Sequence, residues 1–258
     1  MSFVSGKMGQ FRYFDQQLGH PDWASKTVLD FGGNSGNLLR DPLASIDPAL
    51  YWCIDVSPAG IARGQDTFPQ AHWIRYDRYN FEFNPRGVKG LEIPDPGQRF
   101  DVILAYSVFT HTSQPEMLDL VRQLRGRLSD DGVLAFTFLD PQWEAFDGDP
   151  YPGSNLSWRL EKRRELNPNV DVAALLERAQ GADWLALVND DELYCDDERE
   201  HDHDVDDRRA YITFCSPDHM QALFAEAVIL PPVRPERHHC CVIRAQTASA
   251  SPRRQAEL

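Results

Sequence analysis

Residues 27–37, Thr-Val-Leu-Asp-Phe-Gly-Gly-Asn-Ser-Gly-Asn, constrain this chain more than any other segment. A short β-type run ends in a carboxylate at Asp30. A glycine-rich turn follows at once (Gly32, Gly33, Gly36), and Asn37, Leu38 and Leu39 then read as the opening of a helix. Nineteen residues past Gly36 stands a second acid, Asp55, at the end of another apolar run, Tyr51-Trp52-Cys53-Ile54. Strand, glycine turn, helix, strand and acid in this order build a nucleotide-type pocket. The glycines let the backbone approach a ligand closely, the helix N-terminus offers unpaired N–H groups, and the second acid bonds ribose hydroxyls.

The spacing argues against a dinucleotide. That fingerprint needs G-x-G-x-x-G/A, and counting from Gly32 the second position is Asn34 and the last is Asn37, so the pattern fails twice. What stands here instead, Asp30-x-Gly32-x-Asn34-x-Gly36, resembles motif I of the class I S-adenosylmethionine-dependent methyltransferases, D/E-x-G-x-G-x-G. Asn34 replaces the central glycine. Asparagine is the non-glycine residue most tolerant of a left-handed backbone, so the turn is expected to survive the change.

Later segments fall where such a family would put them. His72-Trp73-Ile74-Arg75-Tyr76-Asp77 reads as a third strand ending in an acid, and Phe100 to His111 resembles the motif IV strand with the turn beyond it. Residues 115–128 place Met117, Leu118, Val121, Leu124 and Leu128 on one helical face. Ser129-Asp130-Asp131-Gly132 reads as a turn and Val133–Leu139 as a buried strand. Ala227–Leu230, a Pro-Pro loop and Cys240–Arg244 resemble the closing hairpin of this fold. The resemblance implies an α/β, Rossmann-like, seven-stranded and mostly parallel sheet with helices on both faces and a closing antiparallel β-hairpin. It also implies S-adenosylmethionine as the cofactor. Gly32, Gly33, Asn34 and Gly36 would then line the methionine end with Asp30 anchoring the turn. Asp55, followed by Val56, would meet the ribose, and Asp77, followed by Arg78, the adenine.

The expected organisation is an N-terminal lid or packing segment (1–25), a core of 26–140 and 210–245, a cap insertion between strands five and six (141–209), and a disordered tail (246–258). The 83–99 stretch reads as a surface loop over the adenine end. The cap is expected to hold helices near 155–165 and 171–180, and its aromatics (Trp143, Phe146, Tyr151, Trp158, Trp184, Tyr194) either glue a subdomain or line an acceptor pocket. Phe3, Phe11, Tyr13 and Phe14 either close over the cofactor or pack on the sheet.

Charge and composition narrow the partners. With a formal net charge of −14, the chain repels polyanions, and Lys162-Arg163-Arg164 is its nearest approach to a basic patch. Nucleic acid is therefore disfavoured as acceptor, and a small neutral or cationic molecule is expected. No apolar run is long enough to span a membrane and no basic-then-apolar leader pattern opens the chain, so a cytoplasmic protein is expected. The five cysteines form no C-x-x-C pair and read as reduced core thiols. Residues 190–207 carry eleven acids around His201 and His203, which reads as a solvated charge block rather than a metal site.

For catalysis, a sulfonium donor demands little beyond alignment and an unprotonated nucleophile. His111, past the motif IV strand, is the first candidate base, the alternative being a structural histidine. Tyr106 is the candidate to orient the acceptor or touch the cofactor, and His238 and His239 are secondary candidates. A non-catalytic, methyltransferase-like binding or regulatory subunit is the alternative function. Oligomeric state is not legible.

Overall fold

The computed structural model describes residues 9–80, 82–147, 153–188, 192–195 and 211–245. Phe3, Tyr151, the 246–258 tail and most of the 190–207 acidic segment lie outside these residues. The first element, α1 (Gln10–Gln17), buries Phe11, Tyr13 and Phe14. It packs on the sheet with Trp23, leaving only its first residue near the cleft described below.

The two apolar runs around the glycine turn become β1 (Val28–Phe31) and β2 (Tyr51–Asp55). Between them the expected helix does not form: residues 34–40 make consecutive turns. Asn34 at φ 52 and Gly36 at φ 82 are left-handed where a right-handed helix would begin. Pro42 follows only six residues after Gly36, so no room is left for a regular helix. Leu38 nevertheless drops fully into the core.

Next come α2 (Pro58–Thr67), β3 (His72–Arg75), β4 (Phe100–Ala105), α3 (Gln114–Arg125) and β5 (Leu128–Phe138). The cap contributes α4 (Asn155–Leu166), α5 (Val172–Arg178) and β6 to β8 (Trp184–Val188, Glu192–Cys195, Tyr211–Cys215). The chain returns to the core through α6 (Pro217–Leu223), β9 (Val228–Leu230) and β10 (His239–Arg244). Serine side chains cap α2, α3, α4 and α6, each accepting a backbone N–H of the first turn, and three of these helices carry proline at one of their first two positions.

Seven strands pair in the order β3-β2-β1-β4-β5-β10-β9. The first five are parallel, and β10 runs antiparallel to both its neighbours. One face is covered by α1, Leu38 and Ile61 of α2, the other by α3 and α6. Residues 129–132 are not a separate turn. They bulge within β5, so that Phe100 pairs with Leu128 but Val102 with Val133.

The cap forms its own antiparallel sheet in the order β7-β6-β8, and α4 and α5 fall where the sequence places them. Its border differs from expectation. Tyr211–Cys215 pairs with β6 rather than joining the core, so the cap extends through Cys215. The 83–99 stretch is not all surface either: Ile93 is buried, and the Leu91 carbonyl accepts the Tyr76 hydroxyl.

All five cysteines are free, and burial pushes the thiols of Cys53, Cys215, Cys240 and Cys241 up. Among the described residues no helix is long and apolar enough to cross a membrane.

Candidate active site

The strand order reverses direction between β1 and β4, and a cleft of about 260 Å³ opens there, at the carboxyl ends of the parallel strands. Gly32, Asn34, Asp55, Val56, Tyr106 and His111 line it, and so does Arg78. The remaining sequence candidates lie elsewhere. Asp30, Gly33 and Gly36 stand behind the turn, and the side chain of Asp77 is 53% exposed and paired with Arg75 at 3.2 Å. The chain beyond β3 alternates: Tyr76 and Arg78 are buried inward, and Asp77 points out.

The turn is held from below. Asp55 Oδ2 accepts the Asn34 N–H at 2.7 Å, and Oδ1 accepts the Ser57 N–H at 2.6 Å. Burial pushes the Asp55 carboxyl up, opposed by these two N–H groups. Gly32 has φ 77, and a Cβ there would collide with Val108 across the cleft. Gly32→Ala is therefore expected to strain the turn by about 1–3 kcal/mol and to narrow the cleft. Denaturant unfolding and ligand titration of that variant would check both; wild-type values would show that neither constraint operates.

Asp30 is fully buried and accepts the Tyr51 hydroxyl at 2.6 Å. Burial pushes its carboxyl up to about 7, with the Tyr51 bond opposing and the Asp55 charge assisting. The folded chain then keeps this proton after the unfolded chain has lost it near pH 4. The stability that the protonated group contributes is full below pH 4 and declines as pH rises to about 7. Asp30→Asn removes that dependence. The stability difference between wild type and variant is expected to move in the variant's favour between pH 5 and 8, by about 3 kcal/mol at most. Urea unfolding at the two pH values measures it, and a pH-independent difference would contradict the assignment.

Tyr106 lines the cleft, and its hydroxyl donates to Glu236 Oε2 at 2.8 Å. Burial first, then the Glu236 charge and hydrogen bond, push its phenol well up, so it stays a neutral donor. His238 Nδ1 is 3.5 Å from the same hydroxyl. His239 stacks on Phe138 with ring centroids 5.3 Å apart, and burial lowers it to about 4.

His111 sits in the single helical turn Phe109–His111 after β4. Its Nδ1 is 2.8 Å from the Tyr211 carbonyl oxygen and 3.0 Å from Glu82 Oε2. Glu82 was not among the sequence candidates. It is presented by a tight turn in which Asn80 and Asn84 exchange backbone hydrogen bonds. The Asn80 side chain accepts the N–H groups of Glu82 and Phe83 and donates to the His111 carbonyl at 2.9 Å. Phe83 lines the cleft mouth 55% exposed, its ring edge-to-face with His111 at 5.1 Å.

Among the described residues, the cap aromatics do not line the cleft. Trp143 packs on Phe146 and His239, Trp158 lies beneath Lys162 and Arg237, and Trp184 is buried in the core. The aromatic residues that line the cleft, Phe31, Tyr76, Tyr79, Phe83 and Tyr106, come from the core and the loop after β3. Among the described residues, no group of His, Cys, Asp and Glu side chains gathers to hold a metal.

Residues 29–134, which carry most of this cleft, match the family model described as a methyltransferase domain. The fold is similar to that of S-adenosylmethionine-bound CalS10, an amino pentose methyltransferase from Micromonospora echinaspora involved in calicheamicin biosynthesis (14% identity, 93% of this chain and 92% of that one, TM-score 0.53). It is similar to the CcbJ methyltransferase from Streptomyces caelestis (14%, 93% and 91%, 0.52). The glycopeptide N-methyltransferase MtfA is a third such structure (11%, 90% and 88%, 0.52). No curated protein matches the chain in sequence. The matched segment is a methyltransferase domain, and the fold around it is similar to that of S-adenosylmethionine-binding methyltransferases.

The residues present fit that donor. At Gly32, where Val108 already fills the space of a Cβ, bare backbone faces the cleft, and both Asp55 oxygens keep acceptor capacity beyond their single backbone bonds.

Proposed function

We propose that this chain is a class I S-adenosylmethionine-dependent methyltransferase that moves a methyl group to a nitrogen or oxygen of a small, ring-bearing acceptor, and that His111 takes the proton the acceptor loses. The carrying observation is the place of His111: on the cleft, just past β4, with Nδ1 turned to two acceptors and Phe83 beside it. When bound, S-adenosylmethionine supplies a methyl group already activated on a sulfonium. The backbone of Gly32 and Asn34 cradles the methionine end, with Gly33, Gly36 and Asp30 shaping the turn from behind. Asp55, beside Val56, bonds the ribose, and Tyr76 and Arg78 wall the adenine end. Arg78 is held there by Glu116 and Asp119 at 3.2 and 3.1 Å. Asp77 has no role in this assignment, since its carboxylate lies outside the cleft.

The exposed ring of Phe83 supports an acceptor with an apolar face. The net negative chain supports a neutral or cationic acceptor. Two of the similar structures are, by their descriptions, a glycopeptide N-methyltransferase and an amino pentose methyltransferase, which agrees with a nitrogen-bearing, sugar-like acceptor. Incubation with methyl-labelled donor and a panel of amino sugars, aromatic amines and phenols tests the reading. Label in at least one small product supports it. Label entering only added RNA or protein would overturn it.

A further inference from the structure

His111 is gripped by elements far apart in the chain. Glu82 reaches it from the turn after β3, and the Tyr211 carbonyl reaches it from β8 of the cap. The grip extends along β8: Thr213 Oγ1 donates to the Phe109 carbonyl at 2.9 Å, and the Cys215 N–H donates to the Leu139 carbonyl at 2.8 Å. The Tyr211 N–H also points to Glu82 Oε2 at 3.5 Å, so carboxylate, imidazole and cap strand form one closed set of contacts.

A carbonyl oxygen can only accept, and so can an ionised carboxylate. Burial works to raise the Glu82 carboxyl. The hydrogen bond and charge of His111, the Tyr211 N–H and the charge of Arg159 nevertheless bring it below its ordinary value, so it is ionised at neutral pH. With two acceptors before it, Nδ1 must carry the proton, and in the neutral ring the lone pair is on Nε2.

We propose that Glu82 is the positioning residue of His111, fixing it with the cap strand as the Nδ1–H tautomer whose Nε2 is free to accept a proton. For the catalytic consequence this rests on the function proposed above. There, a proton of the acceptor's hydroxyl or ammonium group would pass to Nε2. The electron pair it leaves would form the new bond to the methyl carbon, and the methyl–sulfur bond of the donor would break with its pair going to sulfur, leaving a neutral thioether. The Glu82 carboxylate remains ionised and neutralises the imidazolium. The cap thereby acts on the chemistry through a backbone carbonyl, without placing an aromatic side chain in the cleft.

The test uses the full-length protein labelled with nitrogen-15 histidine, in which long-range proton–nitrogen NMR identifies the protonated ring nitrogen. His111, assigned through its own backbone, is expected to be protonated on Nδ1 in its neutral form; an Nε2–H ring would overturn the proposal. In a second arm, carboxyl-carbon NMR follows the titration of Glu82. Its midpoint is expected to lie below the ordinary glutamate range and to move up in His111→Gln. An unchanged midpoint would contradict the coupling.

Glu82→Gln, assayed on an acceptor from the labelled-donor panel, is expected to lower kcat roughly ten- to hundredfold, a part of what a general base contributes, with KM and S-adenosylhomocysteine affinity retained. Glu82→Asp should restore part of the loss. A fall in S-adenosylhomocysteine affinity with kcat retained would instead mean that Glu82 only shapes the cleft. The NMR arms need no acceptor. If no methyl transfer is found while His111 still shows Nδ1–H coupled to Glu82, the function proposal fails and the tautomer assignment stands.

Discussion

His111→Ala is expected to slow methyl transfer by about 10²–10⁴-fold, the usual contribution of a positioned general base, while S-adenosylhomocysteine binds much as in the wild type. The separation follows from the geometry. The imidazole touches Glu82, Tyr211 and Phe83, whereas the glycine turn is held by Asp55 at the end of β2. What survives should be alignment of donor and acceptor, which needs no base. The pH profile adds a second criterion. A hydroxyl acceptor should lose rate across the range, whereas an amine should recover at alkaline pH, where it arrives neutral unaided. Single-turnover assays with labelled donor give the rate. A variant that methylates at the wild-type rate across pH would remove His111 from the chemistry.

Asp55→Ala should have the largest effect on cofactor affinity, a loss of about 100-fold or more, given that each hydrogen bond to a charged group contributes ~1.5–3 kcal/mol. Two losses combine at this residue. The acid proposed to meet the ribose disappears, and the Asn34 and Ser57 N–H groups lose the oxygens that fix the turn and the start of α2. Asn34 already sits at φ 52, a conformation that costs a non-glycine residue energy unless its surroundings hold it. Asp55→Asn separates the two contributions, because its single amide oxygen can keep only one of the backbone bonds. Calorimetric titration of both variants with S-adenosylhomocysteine, beside their urea unfolding curves, would show whether affinity falls further than stability. Wild-type affinity in Asp55→Ala would refute the ribose assignment.

What could be read in the sequence was whatever neighbouring residues decide between themselves. The strands around the glycine turn follow from apolar runs ending in acids, and Asn34 takes the left-handed conformation its residue type allows. The serine-proline pairs at 57–58 and 216–217 mark helix starts that form there. The helix after the turn failed because the left-handed residues that make the turn also deny a helix its first turn. Asp77 was a legible error: period-two alternation with Tyr76 and Arg78 already points its carboxylate away from the cleft. Glu82 was not legible. Its meeting with His111 depends on a cap strand some 130 residues away, as the Tyr211 contact shows, and no local pattern announces such closure. The cap aromatics mislead for a similar reason, since composition counts rings without saying which surface they face.

The central claim, that the β1–β4 cleft is a methyl-donor site built on Asp55, is tested most directly by calorimetric titration of the ligand-stripped protein with S-adenosylhomocysteine, with NADH as control and Asp55→Ala alongside. The account predicts saturable binding of S-adenosylhomocysteine by the wild type, strong weakening in the variant, and no binding of NADH. Binding of NADH alone, or of neither ligand, would contradict it.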